Sequence, residues 1–365
     1  MNATRTILQA RFREHLSQLS AAGRLRTLRA PVGRDFSSND VLGFGAENPS
    51  IAATGSRLLR GHREAWDSLE HTLAGWHRAQ AALVFTSGCA ANEGLLSTLV
   101  APSDYVLSDA LNHASLIDGL RLARAERFIY RHCDLLHLAE GLAAAKGRAT
   151  FIVTESLFGM DGDIAPLADL VELAEAYGAV VIVDEAHATG IFGPQGSGLV
   201  DALGLREEVL ATIHTGGKAL GVPGAYVATS ELVRDVLVNR CRSFIYTTAL
   251  PPIAAQWWQT SVRRVREEPL ARERVQTLAR DFRALLTERA VPHIGESYIV
   301  GIPLGADARA VAVAEELQRE GFDVRAIRPP TVPEGTARLR ISVHADHTPA
   351  LLDDLASALA RALRS

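Results

Sequence analysis

Five short segments of this chain set reactive side chains at the ends of apolar runs. The first, Val181-Ile-Val-Asp184-Glu185-Ala-His187, passes from aliphatic residues straight into acid and imidazole. An acid in that position can keep a proton on a ring nitrogen, as a cofactor that stores electrons in its ring requires. A strand-terminal acid can equally hold magnesium, and the segment alone leaves both readings open. The second, Ile213-His-Thr215-Gly-Gly-Lys218-Ala-Leu-Gly221, sets a lysine among glycines. The glycines leave its amine unobstructed over a ligand, and a buried, desolvated lysine can act as Schiff-base nucleophile and then as base. A surface lysine in a flexible turn is the ordinary alternative. Gly-Gly-Lys also occurs in nucleotide-binding loops, but the spacing G-x-x-x-x-G-K-[ST] is absent.

The third segment, Phe85-Thr-Ser87-Gly88-Cys89-Ala90-Ala91-Asn92, leads from a strand through small residues into a helix. Backbone N–H groups at such a turn, aided by the helix dipole, can hold a phosphate. No neighbouring base implies that Cys89 is a nucleophile. The fourth, Ser108-Asp-Ala-Leu-Asn112-His113-Ala-Ser115, offers an imidazole that can stack on a flat ring or merely cap a helix. In the fifth, Ala326-Ile-Arg328-Pro329-Pro330-Thr331-Val-Pro333, two prolines stiffen the backbone beside an arginine whose planar fork suits a carboxylate. A rigid surface turn would look the same.

The elements that must position these residues follow from hydrophobic periodicity. The runs Ala82–Phe85, Tyr105–Ser108, Phe151–Thr154, Val180–Val183, Leu210–Ile213 and Gly224–Ala228 read as buried strands, alternating with helical stretches such as Leu167–Tyr177. This alternation predicts an α/β fold with a mainly parallel sheet sandwiched by helices, in which ligands gather at the carboxyl ends of the strands. Residues 4–22 read as an amphipathic helix with Ile7, Leu8, Phe12, Leu16 and Leu19 on one side, ending at Gly23. Helix dominates from 253 to 290, interrupted near Pro269. The tail alternates strand and helix: Tyr298–Ile302, Ala308–Glu320, Val324–Ile327, Arg338–Val343 and a last helix after Pro349. The expected organisation is an N-terminal helix and arm (1–42), a large α/β domain (43–262) and a small C-terminal α+β domain (263–365). Arg121, Arg124, Arg127 and Arg131 are spaced as on a solvated helix face.

Composition narrows the function classes. Of 365 residues 47% are hydrophobic, and 38 Lys and Arg against 42 Asp and Glu give a net charge of −4. That offers no basic footprint for nucleic acid. No stretch approaches the roughly 20 apolar residues that cross a bilayer, and the N-terminus lacks a signal peptide's apolar core. Cys89, Cys133 and Cys241 are too few and scattered for a disulfide framework or zinc site. No metal is expected, and a reducing, cytoplasmic location is. A dinucleotide-binding oxidoreductase would want G-x-G-x-x-G after the first strand, and Ser87-Gly88-Cys89 does not supply it.

Together the five segments resemble the α-oxoamine synthase family of fold-type-I pyridoxal-phosphate enzymes, over nearly the whole chain from about Leu25. Phe36-Ser-Ser-Asn39-Asp40, Met160-Asp-Gly-Asp163 and Ile245-Tyr-Thr-Thr248-Ala-Leu-Pro-Pro252 match as well. The resemblance implies pyridoxal 5'-phosphate as cofactor, with Lys218 as the lysine that carries it. Asp184 would be the partner of the ring nitrogen, His187 that of the ring oxygen, and His113 the ring-stacking histidine. Gly88 and Cys89 would cradle the phosphate, with Thr215, Gly159 and Thr248 as further cofactor contacts. Arg26, Asn39, His113, Arg328 and Thr331 fall on substrate positions, and Lys218, His113 and Asp184 on catalytic ones. Within the family, the stretch from Ala326 to Arg340 implies L-alanine and a pimeloyl thioester as substrates, on coenzyme A or an acyl carrier protein. Glycine or serine with another acyl group is the alternative. The resemblance also implies a homodimer, with Thr248 reaching the neighbouring chain's phosphate; the apolar side of the N-terminal helix needs a surface as well, and a partner subunit would provide one. There are two departures. Gly159 stands where the family usually has serine. The glycine-rich loop is a shortened Gly55-Ser56-Arg-Leu-Leu-Arg60-Gly61, followed by Trp66 in place of a usual histidine.

Overall fold

A computed structural model describes residues 2–35, 37–42 and 44–364. Met1, Phe36, Gly43 and Ser365 lie outside the described residues. The chain divides into two compact units. One comprises Met1–Ser156 and Pro166–Glu267, the other Leu157–Ala165 and Glu268–Ser365. The N-terminal helix thus belongs to the first unit, and a short internal segment joins the second.

The first unit is built on a seven-stranded sheet: β1 (Ala81–Phe85), β2 (Tyr105–Asp109), β3 (Glu126–Tyr130), β4 (Thr150–Glu155), β5 (Val180–Asp184), β6 (Val209–Thr215) and β7 (Ala225–Thr229). Their order is β1-β7-β6-β5-β4-β2-β3. The five strands from β6 to β3 pair in parallel, while β7 runs antiparallel to both its neighbours. All six apolar runs foreseen in the sequence are strands of this sheet. Every residue of β1, β2, β4, β5 and β7 is buried, as expected of a sheet covered on two faces. Alternate side chains feed two separate cores. Leu83, Phe85 and Val227 join Leu95, Leu96, Leu120 and Leu237 on one side. Ala82, Val84 and Tyr226 join Trp66, Leu69, Leu73 and Trp258 on the other.

Two expectations are corrected. Arg121, Arg124, Arg127 and Arg131 do not share a helix face. The helix Ala114–Ala123 stops at Arg124, whose φ of 60° ends it, and Arg127 lies on β3. This strand sits at the sheet edge with most of its residues exposed, where charge is tolerated. The N-terminal helix, Ala3–Ala21, needs no second subunit to cover it. Leu8 and Phe12 are buried in this chain's own core, with Leu16 packed against them. Polar bonds fix the docking: Thr4 N–H donates to the Gly178 carbonyl, Thr150 N–H donates to Thr4 Oγ1, and Arg11 forms a two-pronged pair with Asp104. Ile7, also assigned to the apolar side, is 44% exposed.

The second unit is a three-stranded antiparallel sheet ordered β8 (Ile299–Gly305), β10 (Ala337–Ser342) and β9 (Arg325–Ile327). Its core gathers apolar side chains of Pro269–Glu288, Asp307–Arg319 and Pro349–Ala362. The segment Leu157–Ala165 is held to β8 and β10. Asp161 is ion-paired with Arg338, and Arg340 donates to the Gly159 carbonyl. Gly162 has φ +76°, and a Cβ there would stand 2.0 Å from the Ile299 carbonyl oxygen, so only glycine fits.

Candidate active site

In the first unit, the carboxyl ends of β2, β4, β5 and β6 surround a cavity of about 310 Å³. Ser87, Gly88, Cys89, Asn92, His113, Ser115, Glu155, Asp184, Thr215 and Lys218 are among its lining residues. A fully buried strand delivers Asp184, itself only 4% exposed, to the floor of this cavity. Its two oxygens are held separately: Oδ1 accepts from Ala186 N–H at 2.8 Å and Oδ2 from Asn92 Nδ2 at 2.8 Å. Asn92 Nδ2 also donates to Ser115 Oγ at 2.9 Å. Ser115 in turn meets His113 Nδ1 twice, through its hydroxyl at 2.7 Å and its N–H at 3.2 Å. With Nδ1 accepting from both, the His113 proton belongs on Nε2. One hydrogen-bonded chain therefore runs from the buried acid to the imidazole at the cavity wall.

Beside Asp184 in the sheet register stands Glu155, also buried. It accepts the His113 backbone N–H at 2.6 Å. Burial, together with the neighbouring Asp184 charge, pushes the Glu155 carboxyl up to about 8. Two carboxyls side by side in a shielded floor cannot both ionise cheaply, and the cost falls on Glu155. The next residue, Glu185, points away from its neighbour Asp184, accepting from Leu199 and Val200 N–H.

Lys218 Nζ lies 2.9 Å from His187 Nε2. Contrary to the expectation of a desolvated amine, Lys218 is exposed, because it stands at the open side of the cavity. The glycines before it differ in kind. A Cβ on Gly216 would stand 2.4 Å from the Val222 carbonyl oxygen, whereas Gly217 has open space.

The opposite wall can receive a phosphate. Ser87 caps the helix Gly88–Leu99, its hydroxyl accepting from Ala90 N–H at 3.1 Å. The N–H groups of Gly88 and Cys89, in the helix's first turn, have no carbonyl one turn back. A Cβ on Gly88 would stand 2.6 Å from Thr215 Cγ2, so the approach of these two elements requires glycine. Thr215 Oγ1 is buried without a hydrogen-bond partner. Helix-end donors, an unused hydroxyl and a lysine across the cavity suit an anionic, aldehyde-bearing ring compound, with Asp184 available for a ring nitrogen.

The other sequence-derived positions are not among the residues lining this cavity. Arg26 is tied to the helix Glu231–Arg240: its N–H donates to Asn239 Oδ1 at 2.6 Å and its guanidinium to the Asn239 carbonyl at 3.1 Å. Asn39 is exposed, its N–H donating to the Thr54 carbonyl at 2.8 Å. Thr248 is exposed on the turn that follows Arg242–Ile245. Gly159 is buried within the second unit, where Arg328 and Thr331 are exposed on a turn closed by Thr331 N–H to the Arg328 carbonyl. Sequence reasoning assigned no role to Asn92, Ser115 or Glu155. The first stood at the end of the phosphate motif, and the last is brought beside Asp184 only by strand register.

Sheet order, strand-end acid and cavity lysine define a fold-type-I pyridoxal-phosphate transferase. The signature of the aminotransferase class I and II family matches residues 34–359, and the chain belongs to that family and, within it, to the α-oxoamine synthases. It is 44% identical to 8-amino-7-oxononanoate synthase of Chlorobaculum parvum, over 96% of this chain and 99% of that one. Among solved structures it resembles serine palmitoyltransferase from S. paucimobilis with a bound PLP–myriocin aldimine, at 29% identity and a TM-score of 0.83, covering 96% of each chain. It also resembles 8-amino-7-oxononanoate synthase from Francisella tularensis, at 27% identity and a TM-score of 0.74, covering 90% of this chain and 97% of that one.

Proposed function

We propose that this chain condenses L-alanine with a pimeloyl thioester, giving 8-amino-7-oxononanoate, carbon dioxide and the free thiol carrier, a step of biotin biosynthesis. The observation that carries the proposal is the end-to-end 44% identity to an 8-amino-7-oxononanoate synthase, joined to a cavity whose residues suit the cofactor. Pyridoxal 5'-phosphate, when bound, supplies an electron sink for the bonds around the amino-acid Cα. Lys218 would hold it through Nζ, with Gly88, Cys89 and Thr215 at its phosphate and Asp184 at its ring nitrogen. Its Nζ would be the base that takes the Cα proton, and His187 Nε2, 2.9 Å away, would orient that amine. The Asp184–Asn92–Ser115–His113 chain holds the imidazole in one tautomer, so His113 can stack on the ring while Nε2–H donates to substrate. Arg328 would bind the alanine carboxylate with its fork and set the angle of the Cα–H bond, with Thr331, Asn39 and Arg26 at further substrate positions.

A homodimer is part of the same reading, with Thr248 serving the neighbouring chain. What supports it is the arm before the large domain, where Val32, Val41, Leu42 and Phe44 are 87%, 89%, 73% and 66% exposed. A run of exposed apolar side chains calls for a covering surface. Three free cysteines fit a reducing cytoplasm. A second reading, condensation of serine or glycine with another acyl group, draws on the higher TM-score to serine palmitoyltransferase. Incubation with each of the three amino acids and pimeloyl-coenzyme A or pimeloyl-carrier protein, followed by product mass, decides between the readings. Alanine should give 8-amino-7-oxononanoate, and turnover confined to serine or glycine would overturn the first proposal. Borohydride should fix the cofactor onto Lys218, and labelling of another lysine would refute that assignment.

A further inference from the structure

Away from the cavity, β2 and the turn after β3 bring together three side chains that the condensation does not use. Asp109, 2% exposed at the end of β2, accepts from His132 Nδ1 at 2.8 Å and from Cys133 N–H at 3.0 Å. A carboxylate on Nδ1 leaves Nε2 of the neutral ring as an acceptor, and Nε2 faces Cys133 Sγ at 3.7 Å. Acid, imidazole and thiol thus stand in the order in which a thiol is activated by a positioned base. Cys133 has φ +53°. That left-handed backbone is uncommon for a residue with a side chain, and it occurs at the residue whose N–H is held by Asp109. Beside them Tyr130 is buried, and burial first, then the charges of Asp109 and Cys133, raise the pKa of its hydroxyl.

We propose that Cys133 is a nucleophilic thiol, activated by His132 and Asp109, that takes up a small-molecule disulfide as a mixed disulfide. The Cys133 proton passes to His132 Nε2, and Sγ attacks one sulfur of the disulfide. The disulfide's own S–S bond breaks, and the departing thiolate takes the proton from His132. One protein thiol and one disulfide become one mixed disulfide and one small thiol, with no other oxidant. The other cysteines are poorer candidates. Cys89 is more exposed, but its hydrogen bond to Glu93 at 2.9 Å, with burial, pushes its thiol up to about 11. Cys241 is buried, and burial raises its pKa too.

The test treats the holoenzyme at pH 7 with oxidised glutathione and locates the adduct by peptide mass. One glutathionyl group per chain should form first on Cys133, and Cys133→Ser should abolish it. His132→Gln keeps a donor for Asp109 and removes the base. An ordinary thiol is only about 3% ionised at pH 7, so activation can accelerate reaction at most ~30-fold. His132→Gln should slow the adduct about tenfold. Labelling of Cys89 before Cys133, or an unchanged rate in His132→Gln, would overturn the proposal. So would a thiol that stays silent until a chelator is added, because the three groups would then be holding a metal. Should His132→Gln fail to fold, the order of labelling in the unaltered protein still decides.

Discussion

Glu155→Gln isolates the charge repulsion in the cavity floor. Glutamine keeps a carbonyl oxygen for the His113 N–H and removes the ionisable group. In the folded chain Glu155 is pushed from 4.5 up to about 8, by burial first and by Asp184 second. Between those values the unfolded chain has released this proton and the folded chain has not, so stability falls as pH rises through the window. Each pH unit costs at most about 1.4 kcal/mol, an upper bound of ~5 kcal/mol across the window. Relaxation of the floor and water entry bring the expected difference to roughly 1–3 kcal/mol. Glu185, also pushed up to about 7 by burial, destabilises in the same direction, but it is present in both proteins and cancels. The assay is urea unfolding of cofactor-free protein at pH 5 and pH 9. At pH 5 the two proteins should agree within about 1 kcal/mol, because a protonated glutamate and a glutamine are close in shape. At pH 9 the variant should be the more stable by roughly 1–3 kcal/mol. A variant less stable at pH 9, or a difference that does not change with pH, would refute the account of a proton held on Glu155 by burial and the neighbouring charge.

Three further outcomes follow from the site. Gly88→Ala forces a methyl group against Thr215 Cγ2, 2.6 Å away, and should weaken pyridoxal-phosphate binding about tenfold or more while circular dichroism stays unchanged. If Asp184 is the proposed partner of the ring nitrogen, Asp184→Asn should lower kcat by roughly 30- to 1,000-fold; near-normal turnover would make Asp184 a strand cap. Arg328→Lys keeps the charge and loses the fork, so the KM for alanine should rise with cofactor affinity unchanged, as titration of each ligand would show.

The sheet was legible because strands buried on both faces, such as Val180–Asp184, read as short continuous aliphatic runs. β3 was not, since an edge strand carrying Glu126 and Arg127 has the polarity of a surface helix. Asp184 and Lys218, which the structure brings to one cavity, stand out in the sequence because they follow such runs closely. Asn92 and Glu155 do not. The partnership of Asn92 with Asp184 joins residues 92 apart in the chain, across β2, β3 and β4, and that of Glu155 comes from strand register alone. The Asp109–His132–Cys133 group stayed hidden for the same reason, its acid lying on the neighbouring strand. The exposure of Lys218 likewise depends on the cavity's shape, which no local pattern encodes.

The docking of the first helix has a consequence for the order of events on the ribosome. Leu8 and Phe12 share a core with Val233, Val236 and Leu237, and Thr4 holds Thr150 and Gly178. This helix, made more than 200 residues before Val233 to Leu237, is therefore among the last segments to find its place. At about 5–20 residues per second it waits some 10–40 s for its partners to be synthesised. Until then its apolar side chains are open to chaperones and proteases. Nascent chains stalled before residue 230 should be clipped within residues 3–21, and chains released after residue 245 should resist. Early protection would mean that the helix first docks elsewhere. The residues that close the core are thus also the ones exposed longest before it exists.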